Sequence, residues 1–228
     1  MIDVGVIRPR FAAVVFDVDS TIAAIEGIDW LARQRGPDVA RECAELTTQA
    51  MEGVLPLEAV YQRRLAAIAP TREDLDRLAE AYVESVQPLA AALILGLQHA
   101  NVAVHLLSGG LREALLPLAR ELHIFPHHLH AVDVEPDSNG RLVRLSGDQP
   151  LATQNGKPLV LAKLLTSSAL PRPVVMVGDG STDAATRGVV DQFIAYTGVI
   201  RRDAVAAVAD AEAVDFESLL PLLFYLPT

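Results

Sequence analysis

Two aspartates separated by one residue, Asp17 and Asp19, stand where a short apolar run of the sequence ends. The run at 11–16 consists of Phe, Ala and Val, which is typical of a buried β-strand. Alternate residues of an extended chain point to the same side, so we expect both carboxylates on one side of the strand end. Like charges this close raise each other's pKa, which indicates a bound cation, a chemical task for one carboxylate, or both. A strand followed by an Asp/Ser turn is the structural alternative.

Two more apolar runs end in small, polar or acidic loops. The run at 174–177 leads into a loop at 178–183 that carries Asp179 and Asp183. The run at 102–107 leads into Ser108-Gly109-Gly110, and an amphipathic stretch at 111–122 follows. Ligands of open α/β sheets bind outside the carboxyl ends of the strands. We therefore expect the three loops to converge on one site.

Phosphoryl transfer would use these residue types in these places. A carboxylate such as Asp17 can attack phosphorus and form an aspartyl-phosphate, which divides one difficult hydrolysis into two easier steps. Mg²⁺ prefers oxygen ligands, and we predict that Asp17, Asp179 and the main-chain carbonyl of Asp19 hold it and remove the repulsion between nucleophile and phosphate. Asp19 is then free to protonate the leaving alkoxide and later to take a proton from water.

Donors for the phosphoryl oxygens are predicted from two further segments: Ser108, the amides of Gly109 and Gly110, and the ammonium of Lys157. Asp183 is predicted to orient Lys157 or a metal-bound water. Each also has a structural interpretation. Ser108 would cap the following helix, Lys157 would be a solvated turn residue, and Asp183 would be a favourable charge in a first helical turn. The joint arrangement favours a site over these separate explanations.

Composition limits the partners. A chain of 228 residues that is 51% hydrophobic can bury one good core, and we expect one α/β domain with an insertion. The net charge of −10 argues against nucleic acid or an anionic membrane as a general partner. No apolar run of membrane-spanning length occurs, and the N-terminus lacks a basic region before an apolar core, so we expect a cytoplasmic protein. The single Cys43 agrees with a reducing compartment. Nothing in the sequence predicts the oligomeric state.

The order of the elements predicts a Rossmann-like, mainly parallel α/β sheet flanked by helices, with a small helical cap inserted after the first strand. Helical spacing precedes the run at 102–107 in four stretches: 27–34, 37–51, 56–68 and 72–86. Because this segment is too long for a simple crossover, residues 23–86 are predicted as the cap and residues 1–22 and 87–228 as the catalytic core.

The second half of the chain predicts further elements. The runs at 129–134 and 141–145 flank an Asn-Gly pair and predict a β-hairpin. We also predict a helix at 158–167, a strand at 192–196, a surface helix or turn at 203–213 and a C-terminal helix at 216–224. Four histidines between 123 and 130 match no helical metal pair, and we expect them along a loop.

In this order the residues resemble the haloacid-dehalogenase-like phosphatases and, within them, the phosphoserine phosphatase family. The resemblance spans nearly the whole chain after the first ten residues, and its motifs are Asp17-Val18-Asp19-Ser20-Thr21, Ser108-Gly109-Gly110, Lys157 and Gly178-Asp179-Gly180-Ser181-Thr182-Asp183. Further matches are Glu26-Gly27-Ile28-Asp29, Ala50-Met51-Glu52-Gly53 and Arg64.

The resemblance implies a substrate and residues that bind it. Glu26 would meet the amino group of phosphoserine, Arg64 would bind its carboxylate, and Thr182 would lie beside the phosphate. A zwitterionic head group does need one fixed anion and one fixed cation, and a guanidinium suits a carboxylate. Both side chains could instead be exposed on helices.

The expected function is Mg²⁺-dependent hydrolysis of O-phospho-L-serine to L-serine and phosphate through an aspartyl-phosphate. Leu57 and Leu111 stand where the family commonly has Phe, so another small phosphomonoester, or an acceptor other than water, stays an alternative. Two hypotheses from other classes are also open. A receiver-like domain would store the phosphoryl group, but it needs neither Asp19 nor a cap. A phosphate-binding protein without catalysis would bind Mg²⁺ and turn nothing over.

Overall fold

A computed structural model describes residues 8–51 and 54–225 of the chain. Its strands are β1 (Arg8–Pro9), β2 (Ala13–Phe16), β3 (Ala103–Leu111), β4 (Leu129–Val132), β5 (Val134–Pro136), β6 (Leu142–Leu145), β7 (Val174–Gly178), β8 (Gln192–Tyr196), β9 (Ala211–Ala213) and β10 (Phe224–Tyr225). Its α-helices are α1 (Gly27–Arg35), α2 (Pro37–Met51), α3 (Leu57–Ile68), α4 (Arg72–Glu84), α5 (Ala90–His99), α6 (Arg112–Glu121), α7 (Gly156–Thr166), α8 (Ser181–Ala184), α9 (Asp203–Ala206) and α10 (Phe216–Leu223).

Within the described residues, six parallel strands form one sheet in the order β4-β3-β2-β7-β8-β9. The central strand β2 is buried throughout, and its side chains alternate between two apolar clusters on opposite faces of the sheet. Burial on both faces explains why a run without polar alternation forms a strand. The predicted α/β fold with a mainly parallel sheet is confirmed.

Among the described residues between β2 and α5, four α-helices occur. Helices α1 to α4 fall inside residues 27–84, close to the four predicted stretches. The start of α4 is capped reciprocally, because Thr71 accepts from the amide of Asp74 and Asp74 accepts from the amide of Thr71. The division into a core and a cap at 23–86 stays a prediction. The predicted cap motif at 50–53 lies partly outside the described residues, which exclude 52 and 53.

The predicted β-hairpin is wrong in its first arm. The hairpin pairs β5 with β6, whereas residues Leu129–Val132 form β4, the parallel edge strand beside β3. Leu129, Ala131 and Val132 are buried, so this segment gains more by joining the sheet than by pairing with a surface arm. The predicted turn holds, because the amide of Gly140 donates to the carbonyl of Asp137 and Gly140 has φ of 75°.

Other boundaries also differ from the sequence prediction. Strand β3 continues through the predicted loop at 108–110, with a register shift against β4 between Leu107 and Leu111. The alanine-rich run at 203–213 contains the short helix α9, but it ends in the edge strand β9 rather than in a surface helix or turn. Helix α5 covers an apolar run to which no element was assigned. Among residues 8–51 and 54–225, no helix is both long and apolar enough to cross a membrane.

Candidate functional site

The three predicted loops meet at the carboxyl ends of adjacent strands. Asp17 follows β2, and its amide donates to the carbonyl of Val177 in β7 at 2.9 Å. Asp179 follows β7 directly. Ser108, in the last part of β3, donates to a carboxylate oxygen of Asp19 at 3.1 Å. Parallel pairing of β2 with both neighbours thus brings residues that are far apart in the sequence together at one edge of the sheet.

Four buried ionisable residues form what we call the carboxylate–lysine cluster: Asp17, Lys157, Asp179 and Asp183. The Lys157 Nζ lies 2.7 Å from Asp17 Oδ1 and 2.6 Å from Asp183 Oδ1. Lys157 is the second residue of α7, so the interpretation as a solvated turn residue is wrong. Its ammonium joins two carboxylates that would otherwise repel each other.

Asp183 reaches the cluster because the neighbouring backbone leaves room for it. A Cβ atom at Gly178 would lie 2.3 Å from Asp183 Cγ, so only glycine permits this approach. The amide of Gly180 donates to Asp183 Oδ2 at 2.9 Å, while Asp183 Oδ1 accepts from Lys157. Asp183 thus contacts Lys157 and also caps the first turn of α8, and its role in orienting Lys157 stays a prediction.

Burial and charge act against each other in this cluster. Burial lowers the pKa of Lys157, but Asp17 and Asp183 outweigh it and raise that pKa above its usual 10.5. Lys157 is therefore charged. Burial and the charge of Asp17 raise the pKa of Asp183 to about 7, despite the nearby Lys157. Lys157 neutralises part of the negative charge of this cluster, and Arg202 beside Asp179 adds a second positive charge.

The donor set fits a hard divalent cation. One carboxylate oxygen from each of Asp17, Asp179 and Asp183 lies within 4.8 Å of the others. Asp179 Oδ2 is buried and, among the described residues, has no hydrogen bond of ordinary geometry, although it is in ion-pair contact with Arg202. Carboxylate oxygens are the ligands that Mg²⁺ prefers. The predicted set was Asp17, Asp179 and the main-chain carbonyl of Asp19. The structure also places the carboxylate of Asp183 beside Asp17 and Asp179, and the ligand set stays a prediction.

Asp19 has different partners from Asp17. Its Oδ1 accepts from the amide of Gly27 at 2.7 Å and from the Tyr82 hydroxyl at 2.8 Å. Its Oδ2 accepts from Ser108, whose own oxygen accepts from the amide of Gly110 at 2.8 Å. Burial, then the charges of Glu26 and Asp17, raise the pKa of Asp19 to about 7. Two neighbouring carboxylates thus occupy distinct environments, as nucleophile and acid/base chemistry requires.

The Ser108-Gly109-Gly110 segment lies against this network. The capping interpretation of Ser108 is wrong, because α6 begins only at Arg112 and has no side-chain cap. The carbonyl of Gly109 accepts from the Tyr61 hydroxyl at 2.9 Å, which ties the segment to α3. Burial raises the pKa of both Tyr61 and Tyr82 well above 10, so both hydroxyls are donors. Thr182 is half-buried in α8, and its role stays a prediction.

The two residues predicted to bind the substrate head group each have a partner of opposite charge. Glu26 Oε1 accepts from Ser20 at 2.8 Å and from Arg202 at 3.3 Å. Arg64 forms an ion pair with Asp29. Its Nε is buried and lacks a hydrogen-bond partner within the part of the chain that the structure describes. Neither Glu26 nor Arg64 is the freely solvated helix residue of the structural interpretation.

Sequence analysis missed three residues near the site: Tyr61, Tyr82 and Arg202. Arg202 contacts both Asp179 and Glu26, and so it links the metal-ligand candidates to the predicted substrate end. A signal for it existed, because Arg202 follows β8, whose carboxyl end lies next to that of β7. Nothing local marked either tyrosine, since both occupy ordinary helical positions in α3 and α4.

Comparison with known families decides the identity of this site. A family model described as haloacid dehalogenase-like hydrolase matches residues 14–186. The chain belongs to this family. All four residues of the carboxylate–lysine cluster lie inside the matched region of this haloacid dehalogenase-like hydrolase. Phosphatases of the family generally use Mg²⁺, and the three buried carboxylates could hold such an ion.

Within the family, this haloacid dehalogenase-like hydrolase is similar to phosphoserine phosphatases. The chain is 38% identical to phosphoserine phosphatase from Bos taurus over 211 residues, which cover 92% of each chain. It is 36% identical to phosphoserine phosphatase from Homo sapiens, with 91% of each chain covered. A phosphoserine phosphohydrolase-like protein from Francisella tularensis has the same fold, with a TM-score of 0.80 at 24% identity over 92% of this chain and 98% of that one.

Proposed function

We propose that this protein is a Mg²⁺-dependent phosphatase that converts O-phospho-L-serine to L-serine and phosphate through an aspartyl-phosphate on Asp17. The observation that carries the proposal is the separation of two neighbouring carboxylates. Asp17 contacts Lys157, whereas Asp19 contacts Tyr82, Gly27 and Ser108. Similarity to phosphoserine phosphatases over more than nine tenths of the chain supports the substrate.

In the first step the Asp17 carboxylate attacks phosphorus. The bond between Asp17 and phosphorus forms as the bond from phosphorus to the serine oxygen breaks. Asp19 gives its proton to the departing serine oxygen, because an alkoxide is a poor leaving group. Lys157 and the Ser108-Gly109-Gly110 segment donate to the phosphoryl oxygens, where negative charge increases.

In the second step water cleaves the aspartyl-phosphate. Asp19, now ionised, takes a proton from the water as the water oxygen attacks phosphorus. The bond from phosphorus to Asp17 breaks, and phosphate and the free carboxylate result. Mg²⁺ bound by Asp17, Asp179 and the main-chain carbonyl of Asp19 or the carboxylate of Asp183 supplies the positive charge that offsets the repulsion between carboxylate and phosphate.

The substrate end of the proposal depends on paired charges at the cap side of the site. Glu26 would bind the ammonium of phosphoserine and Arg64 its carboxylate. Support comes from the buried Arg64 Nε, a donor that has no protein partner among the described residues. In this proposal the substrate replaces two existing partners, Arg202 at Glu26 and Asp29 at Arg64.

Phosphate release tests the reaction. Purified protein with Mg²⁺ is given O-phospho-L-serine and a panel of small phosphomonoesters, with Asp17→Asn as the blank. We expect a strong preference for O-phospho-L-serine and no turnover by Asp17→Asn. A fully active Asp17→Asn variant would contradict the aspartyl-phosphate. Activity restricted to other esters would mean that one of them is the substrate. Leu57 and Leu111 would then be the residues to test for the changed specificity.

The substrate assignment has its own test in Arg64→Ala. We expect the KM for O-phospho-L-serine to rise about 10- to 100-fold, the worth of a charged hydrogen bond, with a much smaller rise for the uncharged-head ester p-nitrophenyl phosphate. Arg63→Ala is the matched control, because Arg63 is the exposed neighbour on the same helix. Equal effects of Arg64→Ala on both esters would remove Arg64 from the head-group site.

A further inference from the structure

We propose that Tyr82 is a positioning residue for Asp19, which it holds so that Oδ2 carries the proton transferred to the leaving group. The inference deepens the proposed function and rests on it. Tyr82 lies near the end of α4, 63 residues from Asp19 in the sequence, and it is completely buried. Its hydroxyl donates to Asp19 Oδ1 at 2.8 Å.

The Tyr82 hydroxyl is placed by this one contact. Among the described residues, Asp19 Oδ1 is its only hydrogen-bond partner. A buried hydroxyl without a partner is costly, and phenylalanine would fill the same space without that cost. The hydrogen bond to the Asp19 carboxylate therefore offsets the cost of burying the Tyr82 hydroxyl.

Gly27 makes the contact possible and adds to it. A Cβ atom at Gly27 would lie 2.0 Å from the Tyr82 hydroxyl oxygen, so the approach needs glycine at the start of α1. The Gly27 amide also donates to Asp19 Oδ1, at 2.7 Å. One oxygen of Asp19 thus accepts two hydrogen bonds, one from α1 and one from α4.

Two donors on Oδ1 determine where the proton of Asp19 resides. When Asp19 is protonated, Oδ1 is the carbonyl oxygen that accepts both bonds, and the hydrogen lies on Oδ2. The Ser108 hydroxyl lies 3.1 Å from Oδ2, so it donates to Oδ2 when Asp19 is ionised and accepts from it when Asp19 is protonated. Ser108 is also the residue proposed to bind the phosphoryl group. The proton therefore faces the ester: it passes from Asp19 Oδ2 to the serine oxygen as the bond from phosphorus to that oxygen breaks and the bond to Asp17 forms. Tyr82 touches neither substrate nor phosphorus in this scheme.

The dependence on the leaving group tests this role. Serine leaves as a poor alkoxide that needs the proton, whereas p-nitrophenolate leaves without it. For Tyr82→Phe we expect kcat/KM for O-phospho-L-serine to fall about 10- to 100-fold through kcat, with KM changed less than about 2-fold, whereas a lost head-group contact would raise KM. The kcat/KM for p-nitrophenyl phosphate should change less than about 2-fold. The use of kcat/KM confines the comparison to the steps up to release of the alcohol.

Tyr196→Phe is the matched control. Tyr196 is also buried, and its hydroxyl lies 3.4 Å from Gln87 Oε1 rather than on Asp19. This variant is expected to leave both substrates unchanged. Gly27→Ala is the second test variant, because its Cβ would push the Tyr82 hydroxyl away, and it should reproduce the loss that is selective for O-phospho-L-serine.

Each result separates this inference from the proposed function. If the wild-type protein releases phosphate from neither ester, the proposed function fails and the role of Tyr82 with it. If the wild-type protein is active and Tyr82→Phe lowers kcat/KM equally for both esters, or for neither, only the positioning role is overturned. A loss of kcat confined to O-phospho-L-serine supports both, whereas a rise of KM alone overturns the positioning role.

Discussion

Two groups of ionisable side chains lie on the sheet, and they differ in their charge balance. The carboxylate–lysine cluster combines acids with a base at the carboxyl ends of β2 and β7. The second group, which we call the histidine cluster, consists of His105 in β3, His130 in β4 and His128 just before β4. The first contains both charge signs, whereas the second contains only bases.

The histidine cluster is held by contacts between neutral rings. His105 Nδ1 and His130 Nε2 are 3.0 Å apart, and the two rings are nearly parallel with centroids 5.4 Å apart. His128 stacks on His105 at 4.0 Å. Burial, then the neighbouring histidines, lower the pKa of His105 to about 3 and that of His130 to about 4. The expectation that these histidines lie along a loop is wrong for His130, which is in a strand.

The difference shows what makes buried ionisable groups a site. The neighbouring carboxylates keep Lys157 charged despite its burial, and the carboxylate–lysine cluster offers oxygen ligands to a cation. Bases without a counter-charge lose their protons and become packing groups. A shifted pKa alone does not separate the two cases, because both clusters have shifted values. The charge of the neighbouring side chains separates them: the first cluster has neighbours of opposite charge and the second does not.

The largest expected effect comes from removing the base of the first cluster. Lys157→Met leaves Asp17 and Asp183 without their shared ammonium and the phosphoryl group without a donor. We expect kcat for the preferred ester to fall about 10³-fold, the upper range for one charge-stabilising donor. Steady-state phosphate release measures it.

Lys163→Met controls for the loss of a lysine from the same helix. Lys163 is the other lysine of the chain and is exposed on α7. It should retain wild-type kcat. Loss of such a donor should leave far less than about a tenth of wild-type kcat. A Lys157→Met variant that keeps more than about a tenth would therefore show that Lys157 has no catalytic role.

A smaller effect is expected on the stability of the fold. If the carboxylate–lysine cluster binds Mg²⁺, then Mg²⁺ at 100 times its Kd should raise the free energy of unfolding by about 2.7 kcal/mol. Asp179→Asn removes one ligand and should lose most of that gain, and EDTA should reverse the gain in the wild-type protein. Thermal unfolding with and without Mg²⁺ measures both.

Asp76→Asn is the control for this measurement, because Asp76 is exposed on α4. Its response to Mg²⁺ should equal that of the wild-type protein. An equal Mg²⁺ response in Asp179→Asn would mean that the ion binds elsewhere, and the comparison between the two clusters would lose its chemical basis.

Residues that follow a strand could be predicted from the sequence, and residues that reach the site from elsewhere could not. Asp17, Ser108 and Asp179 each follow an apolar run, so a local pattern marks them and the parallel sheet brings them together. Tyr82 depends on how helices pack, which no local pattern records, whereas Arg202 follows β8 and the same reasoning could have found it. The roles of Glu26 and Arg64 came only from resemblance and stay predictions.

The same limit explains the misplaced hairpin arm. Leu129–Val132 has a strand pattern, but its partner is β3, far back in the sequence, rather than the nearer run at 141–145. Pairing depends on burial against a partner, and the pattern of one strand carries no record of which partner that is.

The smallest expected effect tests the neutral state of the histidine cluster. The pKa of His105 is about 3 in the folded protein and the usual value is 6.5, so the unfolded chain binds more protons between these values. Stability is therefore complete above about pH 6.5 and falls as the pH falls through this window. At about pH 5 the titration of His105 lowers the free energy of unfolding by about 2 kcal/mol.

His105→Phe removes this titration while keeping an aromatic ring in the buried strand. The decrease in the free energy of unfolding between about pH 7 and pH 5, measured with urea, should be about 2 kcal/mol smaller in His105→Phe than in the wild-type protein. His99→Phe changes an exposed histidine and should keep the wild-type decrease. If His105→Phe also keeps it, His105 holds a charge in the folded protein, and the contrast between a charged and a neutral cluster fails at that residue. A smaller decrease supports the rule that buried bases without a counter-charge act as packing groups.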